Sequence, residues 1–357
     1  MGRVVDWMAR TALEANLAVT LVAASVAPDL VSATNVVHVR AMRGLPALAD
    51  TLAWCGIAAR AIRRTPADVV HVHLPPLLSH GTVMTCHHLA QSARTRGVRE
   101  RGQGLHRSLR EVQMAVRLRV DDRCYMSRSP TTRLSFVSEL LREEFRVLYG
   151  APRDGAVLFP PAPSFREVTV SDRFAARGRL GLSQDALVVG YLGGNDPRKG
   201  FEHVLALAND AVDVKLDLLI AGPNLDGVAV PRGHILGYVD PDAVIEASDV
   251  IVAPALFEAA GLVVGQALAR GVPVVVGIAN GWAPAVTRYG AGIVWDGRSE
   301  FLDAVLAASR VGTTPCRLAV AEVSEQRQAA GLLALYERSL MDARTARPDT
   351  PSAMNRI

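Results

Sequence analysis

The sequence predicts an α/β protein of two doubly wound domains facing each other across a cleft. Short β-branched runs alternate with helical stretches along nearly the whole chain, the pattern of parallel β-α units. A proline run, "LFPPAPSF", interrupts that alternation once, near the middle, because consecutive prolines suit neither a helix nor a central strand. The length of 357 residues matches about two ordinary domains with a sizeable core.

Before the proline run, strands are expected at "LAVTLVAAS" (17–25), "NVVHVRA" (35–41), "DVVHVH" (68–73), "TVMTC" (82–86) and "RLSFVS" (133–138). Helices fill 3–15, 45–64, 105–120 and 138–149, the last opened by Ser138 as N-cap. After it come strands at "ALVVGYLGG" (186–194), "KLDLLIAG" (215–222), "HILGYV" (234–239), "DVIVAPA" (249–255), "VPVVVG" (272–277) and "AGIVW" (291–295), separated by helices. A helix at about 322–342 precedes a polar tail. The boundaries that follow are a first domain over 1–160, a linker over 161–180, a second domain over 181–320, a terminal helix over 321–345 and a tail over 346–357. Ligands of such folds bind at the carboxyl ends of the strands, so the cleft is the expected site.

With 50% hydrophobic and 21% charged residues, the chain reads as globular. A formal charge of +4 is too small to argue for nucleic acid and suits anionic small molecules. The four cysteines, Cys55, Cys86, Cys124 and Cys316, form no C-x-x-C pair, so neither zinc nor a disulfide framework is indicated, and a cytoplasmic setting is expected. No apolar run approaches the ~20 residues needed to span a bilayer. Asp6, Arg10 and Glu14 break the first segment too often for a secretory signal.

Several residues stand out as chemistry. Gly193 and Gly194 end a strand and lead through "NDPRKGF" into a helix, where Arg198 and Lys199 put positive charge beside backbone amides, a cradle suited to a diphosphate. The spacing is neither a P-loop nor a dinucleotide fingerprint. Glu258 stands in "FEAAG" at a helix mouth, where Ala259, Ala260 and Gly261 leave the first amides uncovered. Gln266 lies eight positions on, among Val263, Val264, Ala267 and Leu268, where a polar side chain needs a partner. In "HVH", His71 and His73 lack a third ligand at metal spacing and read as strand residues. Asp240 and Asp242 flank Pro241, the arrangement of an N-cap with proline at the first helical position rather than of a metal-binding pair. The arginines Arg94, Arg96, Arg99, Arg101, Arg107 and Arg110 suit either a solvated face or anionic headgroups.

In order, "GGNDPRKG", "HILGYV", "ASDVIVAPALFEAAGLVVGQALARGVPVVV" and "NGWAPAV" resemble the donor-binding domain of retaining nucleotide-sugar glycosyltransferases of the GT-B fold, the glycosyl transferases group 1 with an E-x7-E motif. The elements "RKG" and "EAAG" are similar to those of lipopolysaccharide-core-type glucosyltransferases. The resemblance covers most of residues 130–310 and is weaker before them. It implies two Rossmann-like domains and a metal-independent enzyme without a cofactor, moving a sugar from a UDP or GDP donor to a sugar or lipid-linked acceptor in glycan, glycolipid or cell-envelope biosynthesis. Arg198 and Lys199 would hold the diphosphate, Glu258 the sugar hydroxyls, and Ala259, Ala260, Gly261 and Leu262 would face sugar and phosphates. Tyr238 and Val239 would lie near the base. "TVMTCHH" resembles the segment whose strand ends in a cleft histidine, and His87 is the matching position.

Two departures bear on function. The second acid of E-x7-E, which contacts ribose in the family, is here Gln266, an acceptor without charge. The chain also opens at "MGRVVDWMAR", inside what would be the first helix, so the first domain is expected to lack its first strand. A nucleotide-sugar epimerase, a phosphorylase of the same fold, or an impaired nucleotide-sugar-binding protein are the alternatives. The arginine-rich stretch leaves peripheral contact with an anionic membrane open beside the solvated face.

Overall fold

The computed structural model describes residues 2–39, 47–73, 82–89, 91–92, 105–126 and 128–345. Twelve strands, all paired parallel, occur among them: β1 (Thr20–Ala23), β2 (Asn35–His38), β3 (His71–Val72), β4 (Val83–Cys86), β5 (Arg133–Phe136), β6 (Asp154–Val157), β7 (Leu187–Tyr191), β8 (Leu216–Ala221), β9 (Gly233–Gly237), β10 (Val250–Ala253), β11 (Val274–Gly277) and β12 (Gly292–Trp295).

In the second domain, six strands form one sheet in the order β12-β11-β10-β7-β8-β9. Its strands read as apolar runs because both faces are covered. Alternate residues go to opposite layers: Val188, Leu219, Val274 and Val276 join one core, Val189, Leu218, Ile220 and Val275 the other. The switch in strand order at β10 and β7 opens the crevice at their carboxyl ends, where "GGNDPRKG" and "FEAAG" both emerge.

The first domain carries β3-β4-β5-β6 as one sheet and β1-β2 as a separate pair. Its strands are short, and β1 and β2 are only half buried. Strand β6 was not expected from the sequence: it opens with Asp154 at φ 69 and Gly155 at φ 63, and pairing with β5 shifts register at Leu134/Ser135. A bulged start hides the alternation that marks a strand.

Helix expectations hold closely where caps are strong. Ser138 accepts from the Leu141 amide at 3.3 Å and opens Glu139–Tyr149. Asp240 accepts from the Asp242 amide at 3.0 Å, with Pro241 at the first position, so it caps the helix Pro241–Ala247.

The linker expected over 161–180 is extended only to Thr169; Val170–Leu180 is a helix opened by a capping box of Thr169 and Asp172. Buried Arg177 fastens it to the second domain, donating to the carbonyls of Ala247 (3.1 Å), Gln184 (2.9 Å) and Ala186 (3.2 Å) and pairing with Asp249 (2.7 Å).

The single helix expected at 322–342 is two, Thr313–Glu322 and Glu325–Thr345. The second crosses back to the first domain, where Leu332 and Leu335 pack with Val4, Trp7, Met8, Val83 and Leu158. Arg338 reaches Asp154 at 2.9 Å, and Asp342 takes Arg133 at 2.9 Å and Arg153 at 2.8 Å. The expected tail, 346–357, lies outside the described residues, and no described helix is long and apolar enough to cross a membrane.

Candidate active site

The site begins with a turn. After β7, Pro197–Lys199 forms a 3-10 turn capped by Asp196, whose carboxylate accepts from the Arg198 amide at 2.9 Å. Gly200 closes it at φ +76, where an added Cβ would lie 2.3 Å from the Pro254 carbonyl oxygen. Only glycine lets the turn press so closely on the loop after β10. The Leu256 amide donates to the Arg198 carbonyl at 3.2 Å, so the two loops are joined backbone to backbone. As a result Lys199 Nζ meets the Glu258 carboxylate directly. Arg198 pairs with Asp196 at 2.8 Å.

Glu258 is held from three sides. Its amide donates to the Ala279 carbonyl at 3.0 Å, its carbonyl accepts from the Gly281 amide at 2.8 Å, and it bridges to Asn280 in parallel fashion. Its Oε1 accepts from the Gly261 amide at 3.3 Å. One of the amides expected to be uncovered is thus taken by the acid itself. Gly261, at φ 58, starts the helix Leu262–Ala269. Asn280 is fully buried behind Glu258; its Oδ1 accepts from the Trp282 amide at 3.0 Å, while Nδ2 has no partner among the described residues.

Gly193 and Gly194 have a structural duty. The Gly194 amide donates to the Ala221 carbonyl at 2.9 Å, and its Cα lies where a Cβ would sit 2.2 Å from the Pro223 carbonyl oxygen. The glycines let the loops after β7 and β8 cross, which sets the position of the turn carrying Lys199. Tyr238, just past β9, is 91% exposed, an open aromatic face beside Val239. Gln266 is half-buried on the helix Leu262–Ala269. It lines a cavity of about 190 Å³ with Val4, Trp7, Phe159, Leu262 and Trp282, between the first helix, the proline run and the helix Leu262–Ala269.

The first domain meets this loop directly. Phe257 stands edge to face with His88, ring centroids 5.8 Å apart, and Ala259 is buried in the first domain's core with Met84, Cys86, Leu89, Tyr125 and Phe136. His87, one residue past β4, therefore belongs to the segment that faces the Glu258 loop. Burial pushes its imidazole down to about 4, so the ring is neutral near pH 7, with one nitrogen able to donate and the other to accept a hydrogen bond.

His71 and His73 gather on the same side, a relation that spacing did not reveal. His73 Nδ1 lies 2.9 Å from His87 Nε2. Burial lowers His71 to about 3, and burial together with its histidine neighbours lowers His73 well below the usual imidazole value. Among the described residues no group of three His, Cys, Asp or Glu is placed to hold a metal. The arginine cluster expected to touch acceptor or headgroups lies outside the described side chains: Arg94, Arg96, Arg99 and Arg101 entirely, Arg107 and Arg110 on the helix Leu105–Met126.

Two α/β domains with parallel sheets, and a turn carrying Arg198 and Lys199 set against the Glu258 helix mouth at the strand ends of the second, are what fold and site define. Residues 185–310 match the family model described as Glycosyl transferases group 1. The structure is similar to that of WaaG, a glycosyltransferase involved in lipopolysaccharide biosynthesis, at TM-score 0.66 and 20% identity, covering 96% of this chain and 95% of that one. It is also similar to sucrose-phosphate synthase from Thermosynechococcus elongatus (TM-score 0.64, 18% identity, 96% and 91% covered) and to Anabaena HepE in complex with UDP and glucose (TM-score 0.60, 13% identity, 97% and 96% covered). No curated protein sequence matches the chain. The GT-B fold expected from the motifs is thereby borne out over 96% of the chain, and the family resemblance over residues 185–310.

Proposed function

We propose that the protein is a metal-independent glycosyltransferase that moves a sugar from a nucleoside diphosphate donor, of UDP or GDP type, to an acceptor hydroxyl with retention of configuration. The observation that carries this reading is the Lys199–Glu258 pair, a cation and an acid locked together at the mouth of the helix Leu262–Ala269. Donor binding divides their tasks. Lys199, with Arg198, takes the diphosphate and stabilises the charge that grows on the leaving phosphate as the sugar departs. Glu258, kept in place by the Ala279, Gly281 and Gly261 backbone bonds, takes sugar hydroxyls. The leaving phosphate oxygen accepts the acceptor's proton on the face it vacates. His87 bonds the sugar or the acceptor as a neutral ring, and Tyr238 with Val239 offers the base a surface.

HepE is described in complex with UDP and glucose, and WaaG acts in lipopolysaccharide biosynthesis; both descriptions support a sugar nucleotide as donor and a glycan or glycolipid as acceptor here. A cytoplasmic enzyme of glycan, glycolipid or cell-envelope biosynthesis, with the arginine-rich stretch at an anionic membrane surface, is the setting that fits.

The test is a panel of nucleotide sugars, each incubated with the purified protein and simple sugar acceptors, with the product's anomeric proton read by NMR. Transfer with the donor's configuration kept supports the reading. Interconversion of donors without acceptor, consumption of inorganic phosphate, or an inverted product contradicts it.

A further inference from the structure

Three histidines from two adjacent strands form a connected set that the proposed reaction does not itself require. His71 is pinned at both nitrogens: Nδ1 lies 2.9 Å from the Tyr336 hydroxyl on the returning helix, and Nε2 lies 2.7 Å from Thr85 Oγ1. Thr85 in turn meets Ser135 Oγ at 2.6 Å, and both hydroxyls are buried. A half-buried ring bonded at both nitrogens cannot flip or swing without breaking its bond to the Tyr336 hydroxyl or to buried Thr85. The His73 ring stacks on it with centroids 4.4 Å apart and planes 26° apart. His73 Nδ1 then reaches His87 Nε2 at 2.9 Å.

Two neutral imidazoles at that separation share a single proton, since each ring carries one N–H. If His73 donates, His87 carries its proton on Nδ1, and if His87 donates, its Nδ1 is a bare acceptor; in either arrangement His87 Nε2 is committed. Nδ1 is the only ring nitrogen left to meet a substrate.

We infer that His73 is a positioning residue for His87: braced by the His71–Tyr336 contact, it fixes His87 in one tautomer and presents Nδ1, not Nε2, to the transferred sugar or the acceptor hydroxyl. This rests on the glycosyltransferase reading for the identity of the ligand, but the tautomer does not. Burial supports it, because it keeps all three rings neutral near pH 7. The brace runs through Tyr336, so the helix that returns from the second domain takes part in setting a first-domain ring.

The experiment uses the full-length chain labelled with 15N histidine, His87 being assigned with a His87→Gln variant. At pH 7 the two ring nitrogens of His87 should give widely separated shifts, as a neutral ring with its proton on one nitrogen does. In His73→Phe, which keeps a stacking ring but removes the partner nitrogen, the two shifts should converge as the tautomers interconvert. His73→Asn, which can still bond, should keep them apart. With a donor in hand, His73→Phe should lower turnover roughly tenfold or more with donor KM within about twofold, and His73→Asn should recover most of the loss. Unchanged His87 shifts or full turnover in His73→Phe overturns the inference. If that variant does not fold, a wild-type His87 with exchange-averaged or protonated-ring shifts at pH 7 overturns it alone. Because the nitrogen shifts need no substrate, failure of the glycosyltransferase reading leaves this test standing.

Discussion

Gln266 and the buried histidines are where single residues decide most. An amide at 266 accepts a ribose hydroxyl without charge assistance, and charged acceptors bond about twice as strongly. If Gln266 reaches the ribose, Gln266→Glu strengthens nucleoside diphosphate binding by about fivefold, roughly 1 kcal/mol; calorimetric titration that shows no change removes Gln266 from the donor site and leaves it to the cavity it lines with Trp7 and Trp282. The histidines predict a pH effect. Their folded pKa values are lowered, so below the ordinary value near ~6.5 the unfolded chain takes up protons that the folded chain refuses. Stability is therefore greatest above that pH and falls as acid is added, reaching a loss of about 2 kcal/mol at pH 5 for His71, whose folded value is about 3. Urea titrations at pH 7.5 and 5.0 check it: His71→Asn should narrow the difference between the two by about that amount. Lys199, Glu258 and His87 were legible in the sequence because each sits at a strand end or helix mouth within a recognisable motif. The His73–His87 bond was not, since the two stand 14 positions apart and only the pairing of β3 with β4 brings the rings together.

At the scale of elements, the short turn Pro197–Lys199 is the piece whose exact placement matters for the site. Gly200→Ala puts a side chain at φ +76 and against the Pro254 carbonyl oxygen, a combined cost of about 2 kcal/mol or more. Thermal unfolding should drop by several degrees, and whatever donor affinity the wild type shows should fall with it, because the turn carrying Lys199 is pushed off the Glu258 loop. A variant with unchanged melting temperature and donor affinity would show that the close approach is not needed. Every strand of the second domain was legible: the central ones, β7, β8, β10 and β11, read as apolar runs because they are buried, and the half-buried edge strands β9 and β12 are marked by their flanking glycines. β6 was missed where Asp154 and Gly155 adopt left-handed conformations, and the helix Val170–Leu180 was absorbed into the linker because its apolar face is thin and its anchor is a buried arginine, Arg177, rather than a hydrophobic stripe.

Across the whole molecule, joints among the described residues hold the domains in register: the Phe257–Ala260 loop set into the first domain's core, the Phe159 amide in the proline run bonded to Gln328 at 2.9 Å, and the helix Glu325–Thr345 lying on the first domain through Asp342, Arg338 and Tyr336. The sequence announced that last helix but not its destination, since nothing local marks a helix as crossing between domains. Removing the charge of Asp342, which takes Arg133 and Arg153, should loosen it: Asp342→Ala is expected to speed proteolytic cleavage near the helix and to cost about 1 kcal/mol, partly exposed pairs being worth little singly and more as a network. Cleavage at the wild-type rate would show that Leu332 and Leu335 hold the helix unaided.

All of this serves one claim, that the Lys199–Glu258 pair is the diphosphate and sugar contact of a nucleotide-sugar donor. The measurement that bears on it most directly is calorimetric titration of UDP- and GDP-sugars into the wild type and into Lys199→Ala, with circular dichroism confirming that both are folded. At least one donor should bind the wild type, and the variant should bind it at least about tenfold more weakly, the cost of one lost charge-assisted phosphate contact of roughly 1.4 kcal/mol or more. Equal affinity in the two proteins, or no binding of any nucleotide sugar to the wild type, would contradict it.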